Sequence, residues 1–394
     1  MERRYAVLRD MSRARTAEPF GGGVRALELG QPAAPRIDVV ELDKRNAQEV
    51  ARDPEVHALA PVMPTSLIRP VQVEGEVTPE STSTAWGVTA VGADTSTRTG
   101  AGVVVSVLDT GIDATHPAFA GVTLVEEDFS GSGTGDQDGH GTHCAGTVLG
   151  RDVDGTRIGV ATGVGTALIG KVLGDDGSGS SDMLFQGMQW AVQGGAHVIS
   201  MSLGFDFPGL VRSLTDDGWP TELATSAALE SYRANLRMFD ALMQMIQAQA
   251  AFTAGTLVVA AAGNESRRQE DPDFEIAASL PAAADGVLST GALARSAGGL
   301  TIAPFSNTFP QVSAPGVGIT SARAGGGLHD LNGTSMAAPH VAGVAALWWE
   351  HVLSSPLPAS VNVVTARILA AADTSALAPE VDVADRGVGL VRAP

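Results

Sequence analysis

The sequence predicts an α/β fold in which a mainly parallel central sheet is covered on both faces by helices. Two observations support this: the order of the segments and the continuity of their apolar runs. From residue 100 onward, Gly-rich turns and helical patterns alternate with GVVVSVLD, ALIGKVL, AHVISMSLG, GTLVVAAAGN and GVLSTGAL. Continuous apolar strands separated by helices are typical of parallel sheets buried on both faces. Ligands of such sheets bind beyond the carboxyl ends of the strands, so the residues after each run are candidates for function.

Composition and charge restrict the classes of partner. The chain has 394 residues, 44% of them hydrophobic, which is enough for a large packed core. Its net charge of −19 argues against nucleic acid and anionic membrane as partners. No window is as long and apolar as a membrane span. Cys144 is the single cysteine, so no intrachain disulfide can form.

The charge is uneven and indicates a boundary near residue 70. Residues 1–69 hold 11 Lys or Arg and 10 Asp or Glu, which leaves 14 and 34 for the rest. Within this first part, a strand over 37–42, a charged helix over 43–52 and a strand over 56–62 predict a small α+β unit. Residues 63–84 are rich in Pro, Ser, Thr and Glu without periodicity, which is typical of a linker.

The N-terminus bears on location. Its first 23 residues contain basic side chains but no apolar core of a signal peptide. A cytoplasmic protein is therefore expected, with secretion as the alternative if a leader has been removed.

Four polar residues stand at predicted strand or helix ends, and each has a purely structural interpretation. Asp109 could cap the turn after VLD, Asn264 could form the turn after VVAAAG, and Ser335 could cap the helix after NGT. His140, between two glycines, leaves room for another chain to approach. Together the four supply a nucleophile, a proton carrier, a carboxylate and an oxyanion donor, which acyl transfer at neutral pH requires.

A metal site is the alternative for the histidine segment DGHGTHCAG. His143 lies three residues after His140, and Asp136 or Asp138 could add a carboxylate. Zinc-binding histidine pairs on one helix face usually come with a recognisable third ligand and an acid, so this pattern favours a proton carrier over a metal ligand.

The order of the candidates along the chain, Asp then His then Ser, is that of subtilisin. In VLDTGID, DGHGTHCAG, ISMSLG, VVAAAGN and NGTSMAAPHVAG the chain resembles the subtilase family of serine proteases, over about residues 85–394. HGTHCAG is most similar to the proteinase K branch, in which a free cysteine follows the catalytic histidine. The resemblance implies a three-layer α/β/α catalytic domain and a serine endopeptidase.

Carried over by position, the resemblance assigns a role to each candidate. Ser335 is the expected nucleophile, His140 the general base and acid, and Asp109 the group that orients the imidazole. Asn264 is expected to donate to the oxyanion together with the Ser335 N–H. Pro339 is expected in the first turn of the helix that begins near Ser335, where a missing N–H costs least.

The resemblance also implies where an extended peptide binds. An edge strand is expected to bind the peptide backbone through Gly177, Ser178 and Gly179. One wall of the main specificity pocket is expected at Ser202, Leu203 and Gly204, and the other at Ala262 and Gly263. The small walls predict room for a bulky apolar side chain. Glu265 at the rim and the nearby EDPDFE favour a basic one instead, and Ser279 is the expected floor of the pocket.

Residues 1–70 resemble the inhibitory propeptide of the family, followed by a linker or processing region over 71–84. The expected partners are therefore a protein or peptide substrate and the chain's own N-terminal segment as an intramolecular inhibitor. HALAPVMPTS is expected near the cleft as a product-like strand, with cleavage between about residues 65 and 85.

Two departures from the family concern calcium and an insertion. Ala118 replaces an Asp that holds calcium in many subtilases, and Asp152 and Asp154 fit a solvated turn better than a cation site, so a structural calcium is doubtful and no cofactor is expected for catalysis. An insertion is expected over about residues 205–235. Its second part overlaps one long helix that is predicted over 222–251. Residues 205–221 follow the pocket wall and are expected to shape access to the cleft.

Two other classes of function remain as alternatives. An inactive subtilase-like binding module would usually lack one catalytic group, and none is missing here. A dinucleotide enzyme is suggested by TGAGVVVSV, but its glycines precede the strand instead of following it.

Overall fold

The computed structural model describes residues 2–10, 35–72, 83–250, 252–356 and 358–394. Its first part is an antiparallel sheet of order β2-β1-β3 with one helix, formed by β1 (Arg3–Arg9), β2 (Arg36–Leu42), α1 (Lys44–Val50) and β3 (Val56–Pro61). The two strands and the helix predicted over 37–62 are confirmed to within two residues. Helix α1 begins after Asp43, whose side chain accepts a 2.8 Å hydrogen bond from the Asn46 N–H. The central strand β1 is an addition to the prediction.

The remaining elements in the described residues follow in chain order. The strands are β4 (Pro64–Leu67), β5 (Val104–Asp109), β6 (Thr123–Asp128), β7 (Thr166–Lys171), β8 (Ser178–Ser180), β9 (Val198–Met201), β10 (Leu203–Phe205), β11 (Leu257–Ala261), β12 (Val287–Ser296), β13 (Gly299–Ile302), β14 (Val312–Pro315), β15 (Ile319–Ala322) and β16 (Leu328–Leu331). The helices are α2 (Trp86–Ala90), α3 (His140–Leu149), α4 (Ser181–Gln193), α5 (Phe207–Asp216), α6 (Thr221–Gln249), α7 (Thr334–Leu353), α8 (Val361–Ala371) and α9 (Val383–Arg386).

The central sheet is mainly parallel, as predicted. Its order is β13-β12-β11-β9-β5-β7-β6, with β14 paired to β12. Each of these pairs is parallel except that of β12 with β13. The five apolar runs of the sequence correspond to β5, β7, β9, β11 and β12.

Helices cover both faces of this sheet because its strands alternate their side chains between two cores. In β11, Val259 points into the core shared with α3, α7 and α8, whereas Val258 points into the core shared with α4 and α6. Both residues are fully buried. The second core also contains Ala6, Leu8 and Ala60 of the N-terminal sheet. The predicted three-layer α/β/α arrangement is confirmed, and the N-terminal sheet packs against the α4 and α6 layer.

The long helix predicted over 222–251 is observed as α6. Of its predicted core stripe, Phe239, Leu242, Met243 and Ile246 are buried, and Tyr232 and Leu236 pack at the edge of the core. Leu229 is 48% exposed, so its place in the stripe was predicted wrongly. The buried face of this part of the helix runs through Ala228 and Ser231, and Ala228 is one position away from Leu229.

The region predicted as a linker over 63–84 begins with a strand. Residues 64–67 form β4, which lies between β8 and β10 in a separate sheet of order β10-β4-β8. The aperiodic sequence PTSL conceals this strand because its partners are distant in the chain. Residues 73–82 of the predicted linker lie outside the described residues. Within the described ranges, no helix combines the length and apolarity needed to cross a membrane.

Candidate active site

The predicted catalytic residues stand at strand and helix ends on one edge of the central sheet. Strand β5 ends at Asp109, and the chain leaving β11 two strands away reaches Asn264 three residues later. Helix α3 begins at His140, and Ser335 is the second residue of α7. Because parallel strands present their carboxyl ends at the same edge, these four positions can converge.

Asp109 and His140 form a buried pair. The Asp109 Oδ1 atom lies 2.8 Å from His140 Nδ1, and each side chain is 1% exposed. Burial alone would lower the pKa of His140, but the Asp109 carboxylate, aided by Cys144, raises it well above its ordinary value. His140 Nε2 is buried and has no hydrogen-bond partner among the described residues. One imidazole nitrogen is therefore fixed and the other is left to accept a proton.

Glycine after the histidine allows this pairing. A Cβ atom on Gly141 would lie 2.2 Å from the carbonyl oxygen of Gly111, two residues after Asp109. The loop that follows β5 thus rests directly on the first turn of α3. This agrees with the expectation that glycines beside His140 make room for another chain.

The structure does not assemble the alternative metal ligands around His140. Asp136 accepts hydrogen bonds from Thr110 Oγ1, from the Gly139 N–H and from both the N–H and the hydroxyl of Thr142. His143 Nε2 faces the carbonyl oxygen of Ile319 at 2.9 Å, and burial lowers its pKa well below the ordinary value. These groups support the loop and helix that carry His140.

Three positions outside the His140 segment bear on calcium binding. Ala118 is buried in a 3-10 turn over Pro117–Phe119, and Asp152 and Asp154 flank the turn after α3. Among the described residues, the acidic, histidine and thiol groups close enough to share an ion are Asp109, His140 and Cys144. The expectation that a structural calcium is doubtful stays a prediction.

Ser335 is held at the start of α7 by an arrangement that depends on a proline. Pro339 lies in the second turn of the helix, not in the first as expected from the sequence, because α7 begins at Thr334. Since proline has no N–H, the Ser335 carbonyl four residues earlier lacks its helical donor. That carbonyl accepts instead from Ser202 Oγ at 3.2 Å and from Cys144 Sγ at 3.4 Å.

Cys144 connects the helix of the histidine with the helix of the serine. In addition to its contact with the Ser335 carbonyl, its sulfur lies 3.7 Å from His140 Nδ1. The side chain is buried, and burial raises the pKa of the thiol. The thiol thus fixes the spacing of α3 and α7 at the site.

Asn264 has one end of its amide fixed and the other directed into the cleft. Its Oδ1 accepts from the Thr334 N–H at 2.9 Å and from Thr334 Oγ1 at 2.8 Å. The opposite Nδ2 donates to the carbonyl oxygen of Arg69 at 3.0 Å. The residue before Ser335 therefore orients a hydrogen-bond donor toward whatever backbone occupies the cleft.

The chain's own residues 64–71 occupy this cleft. Strand β4 pairs antiparallel with β8 on one side and with β10 on the other. The Leu67 N–H donates to Gly177 O at 2.8 Å, and the Ile68 N–H donates to Ser202 O at 3.4 Å. Ser335 Oγ then donates to Ile68 O at 3.0 Å. The hydroxyl of the predicted nucleophile thus meets the backbone directly after the strand.

The segment continues past Ser335 along the loop that precedes α7. The Val71 N–H donates to Asn332 O at 2.8 Å, and Asn332 Nδ2 donates to Val71 O at 2.9 Å. Both sides of Ser335 therefore hold the same extended segment.

Most residues predicted to bind substrate contact this segment. The register of the two ladders pairs Thr65 and Ser66 with Gly179 and Ser178, and pairs Leu67 and Ser66 with Leu203 and Gly204. The predicted wall residues Ala262 and Gly263 follow β11, where Asn307 Nδ2 donates to Ala262 O and the Gly263 N–H donates to Thr334 Oγ1. They support Asn264 from behind.

The side chain of Ile68 lies in the pocket predicted beside Gly204. Ile68 is 5% exposed, and a Cβ atom on Gly204 would lie 3.6 Å from its Cγ1 atom and 3.7 Å from Ser279 Oγ. Ser279 thus faces the pocket, as expected. The Glu265 carboxylate accepts a 2.6 Å hydrogen bond from Asn307 Nδ2, and a Cβ atom on Gly263 would lie 2.4 Å from its Oε2 atom. The apolar occupant Ile68 favours an apolar side chain in this pocket.

Comparison with known proteins decides the family. A model described as the subtilase family matches residues 100–389. The chain belongs to the subtilase family. It is similar to the M-protease of Shouchella clausii, with 34% identity over 283 residues, which is 70% of this chain and 62% of that protein. A thermostable alkaline protease of Halalkalibacterium halodurans is 33% identical over 78% of this chain and 70% of its own. Subtilisin Savinase of Lederbergia lenta is 34% identical over 67% of this chain and 84% of its own.

Membership of the subtilase family confirms the resemblance seen in the sequence and the predicted fold class. The match spans 62% of the length of the M-protease, so the activity, substrates and partners of the whole protein are treated as proposals. The expected cytoplasmic location gains no support from these relatives.

Sequence reasoning missed three groups at the site. These are the occupying residues Ile68 and Arg69, the paired Asn332, and the contacts of Cys144 and Ser202 with the Ser335 carbonyl. The position of Pro339, four residues after Ser335, was the available signal for the last group. The first group lies in a segment without any periodic pattern.

Proposed function

We propose that the protein is a serine endopeptidase that forms an acyl-enzyme on Ser335. The observation that carries this proposal is the extended segment 64–71, which runs past Ser335 with Ile68 O accepting from Ser335 Oγ at 3.0 Å. The buried pair of Asp109 and His140 at the same edge supports it, and so does membership of the subtilase family. The substrate is a protein or peptide in extended conformation.

In this mechanism Ser335 Oγ attacks the carbonyl carbon of the residue in the Ile68 position while His140 Nε2 takes the hydroxyl proton. Asp109 holds the Nδ1–H and stabilises the imidazolium that forms. The developing oxyanion accepts from Asn264 Nδ2 and from the Ser335 N–H. His140 then gives its proton to the leaving nitrogen, and a water molecule hydrolyses the ester through the same groups.

The hydrogen bonds of the uncut chain must rearrange for this attack. Ser335 Oγ now donates to Ile68 O, and Asn264 Nδ2 donates to the next carbonyl, that of Arg69. If the Ile68 carbonyl turns toward Asn264 Nδ2 and the Arg69 carbonyl leaves it, the Ser335 hydroxyl is free to donate to His140 while β4 keeps its register. The acylation step thus uses groups of the protein and the segment, and the deacylation step adds one water molecule.

We also propose that the chain cuts itself between Ile68 and Arg69 and that the released N-terminal segment remains as an inhibitor. Ile68 has its side chain in the pocket and its carbonyl nearest the Ser335 hydroxyl. The position falls within the processing interval of 65–85 expected from the sequence. Until the segment leaves, β4 occupies the place of a substrate strand between β8 and β10.

Intact mass and N-terminal sequencing of the purified protein test both parts. We expect the wild-type chain to yield a fragment that begins at Arg69, and the Ser335→Ala variant to keep its full length. A fluorophosphonate probe should label the wild-type protein and neither Ser335→Ala nor His140→Ala. Equal full-length masses would refute self-processing alone, whereas an unlabelled wild type would leave an inactive binding module as the function.

The insertion is proposed to close the far end of the cleft. The Asp206 N–H donates to Pro64 O at 3.0 Å, and the Asp206 side chain caps α5 by accepting from the Gly209 N–H at 2.7 Å. Removing residues 207–218 should reduce the advantage of peptides that extend back to the Pro64 position over peptides that begin at Ser66. An unchanged preference would show that α5 has no part in substrate access.

The location and calcium binding complete the proposal. Secretion, the alternative to the cytoplasmic expectation, is tested by assaying culture fluid and cell lysate for labelled enzyme. A structural calcium is tested by comparing the thermal unfolding midpoint with and without a chelator, and we expect no change because Ala118 is apolar and buried.

A further inference from the structure

The residue directly after the proposed cleavage site is held by two loops that border the cleft. Arg69 Nη2 donates to the carbonyl oxygen of Asp176 at 2.6 Å, and Arg69 Nη1 lies 3.7 Å from Asp138 Oδ2. Asp176 precedes Gly177, which binds the backbone of Leu67, and Asp138 lies two residues before His140. The guanidinium therefore connects the loop that precedes α3 with the loop that precedes β8.

The shape of this region fits a long side chain. A Cβ atom on Gly177 would lie 3.2 Å from Arg69 Nη2, so the glycine leaves the space that the guanidinium uses. Gly177 also has a φ of +76°, which disfavours any larger residue. Backbone requirements and room for the guanidinium thus coincide at this position.

The carboxylates near Arg69 differ in their availability. Asp175 already pairs with the buried Lys171 at 2.5 Å. The Asp176 carboxylate accepts from the N–H and the hydroxyl of Ser178, and these bonds together with Arg69 lower its pKa. Within the described residues, the ion-pair partner of Asp138 is Arg69. The Asp138 side chain is 18% exposed even with the segment in place. After the cut, departure of residues 1–68 and of the new N-terminus at Arg69 would leave the Asp138 carboxylate facing an open cleft.

We propose that Asp138, together with the Asp176 carbonyl, is a specificity determinant that selects an arginine directly after the cleaved bond. This rests on the proposed endopeptidase function and adds the class of substrate: an apolar residue in the Gly204 pocket followed by a basic residue. Arginine is preferred over lysine because its two terminal nitrogens reach acceptors on two different loops, whereas a lysine has one nitrogen. The net charge of −19 also favours the approach of basic substrates to the protein as a whole.

The expected size of the effect follows from exposure. The Arg69 side chain is 64% exposed, so its ion pair is that of a partly hydrated surface pair. Such pairs change an equilibrium by about two- to fivefold, and salt weakens them. An acidic residue in the same position should be disfavoured by a comparable factor through repulsion from Asp138.

Peptides with the sequence of residues 63–72 test the proposal directly. Fluorescence-quenched MPTSLIRPVQ and versions with Lys, Ala or Glu in the Arg69 position are incubated with the full chain as purified, after any processing it undergoes. The kcat/KM values are compared for the wild type, Asp138→Asn, and Glu222→Gln. The last variant loses the same charge from an exposed position at the start of α6. Product masses locate each cut.

We expect cleavage after Ile with the order Arg, Lys, Ala, Glu for the wild type and for Glu222→Gln. In Asp138→Asn the ratio of Arg to Glu peptide should fall by about two- to fivefold, and high salt should produce a similar fall in the wild type. Equal ratios in wild type and Asp138→Asn, or a cut after Arg, would overturn the specificity proposal while leaving the protease intact. A wild type that cuts no peptide would refute the endopeptidase function itself, and this inference with it.

Discussion

Ser335 Oγ lies 3.0 Å from the carbonyl oxygen of Ile68, a residue 267 positions earlier in the chain. This contact joins the part of the protein that resembles a propeptide with the start of α7. It places an uncut peptide bond beside the Ser335 hydroxyl, and Asp109 and His140 form a buried pair at the same edge of the sheet. The following predictions test how that arrangement works.

Asn264→Ala should lower kcat by about 10²- to 10³-fold, which corresponds to a loss of about 2.7–4 kcal/mol of transition-state stabilisation. The reason is that Nδ2 is the side-chain donor directed into the cleft. Thr334→Ala should cause a smaller loss, because it removes one of the two hydrogen bonds that orient the Asn264 amide. Steady-state kinetics on a quenched peptide measure both. An effect on KM alone would contradict the proposed role.

The activity should depend on pH through His140. Because the base must be neutral, kcat/KM should rise with pH and level off above the pKa of His140, which the Asp109 pair raises well above its ordinary value. In Asp109→Asn, burial without the carboxylate lowers that pKa, so the rise should move to lower pH while kcat falls by about 10⁴-fold, the loss known for this change in serine proteases.

The same pair affects stability with a definite sign. A raised folded-state pKa stabilises the protein fully below the pKa of the unfolded histidine, and this contribution disappears as pH rises through the folded-state pKa. Denaturation of Ser335→Ala, which avoids self-digestion, should show it. An Asp109→Asn variant with an unchanged pH profile would exclude this coupling.

Gly204 should control the size of the side chain accepted before the cut. A Cβ atom there makes ordinary contact with Ile68 at 3.6 Å, so Gly204→Ala should retain most of the processing rate. Gly204→Val adds two methyl groups toward the pocket, and overpacking of about 1–3 kcal/mol should slow processing after Ile by roughly tenfold. Pairing each variant with Ile68→Ala separates size from misfolding: rescue of Gly204→Val by the smaller residue is expected, and its absence would count against this pocket.

Asn235 should determine how long the N-terminal segment stays bound. On α6 its Nδ2 donates to Pro61 O at 2.9 Å, and the residue is fully buried. Asn235→Ala leaves that carbonyl without a partner, so inhibition by a synthetic 1–68 segment added to processed enzyme should weaken by about 1–3 kcal/mol. Arg233→Ala, an exposed position on the same helix, is the control. Inhibition constants that do not differ between the two variants would exclude α6 as the anchor.

Much of the catalytic edge could be predicted from the sequence. Asp109 and Asn264 stand at the ends of apolar runs, and His140 and Ser335 stand in the first turns of helices, so parallel strands could bring them to one edge. Prediction from sequence patterns failed where segments far apart in the sequence determine the local structure. The short strand β4 forms because β8 and β10 provide partners on both sides. Leu229 is exposed because the buried face of α6 runs through its neighbour Ala228. The contact of Asp138 with Arg69 depends on that same placement of β4.

Strands β8 and β10 border the cleft without pairing to each other, and β4 is their common neighbour. A protease freed of β4 therefore has two short ribbons of unsatisfied backbone groups, and each substrate must supply the missing middle strand from its own chain. A folded protein can do so only where several consecutive residues are able to leave their own hydrogen bonds. We therefore expect the enzyme to act on unstructured tails, loops and unfolded chains, and to spare stable domains even when their sequence suits its pockets.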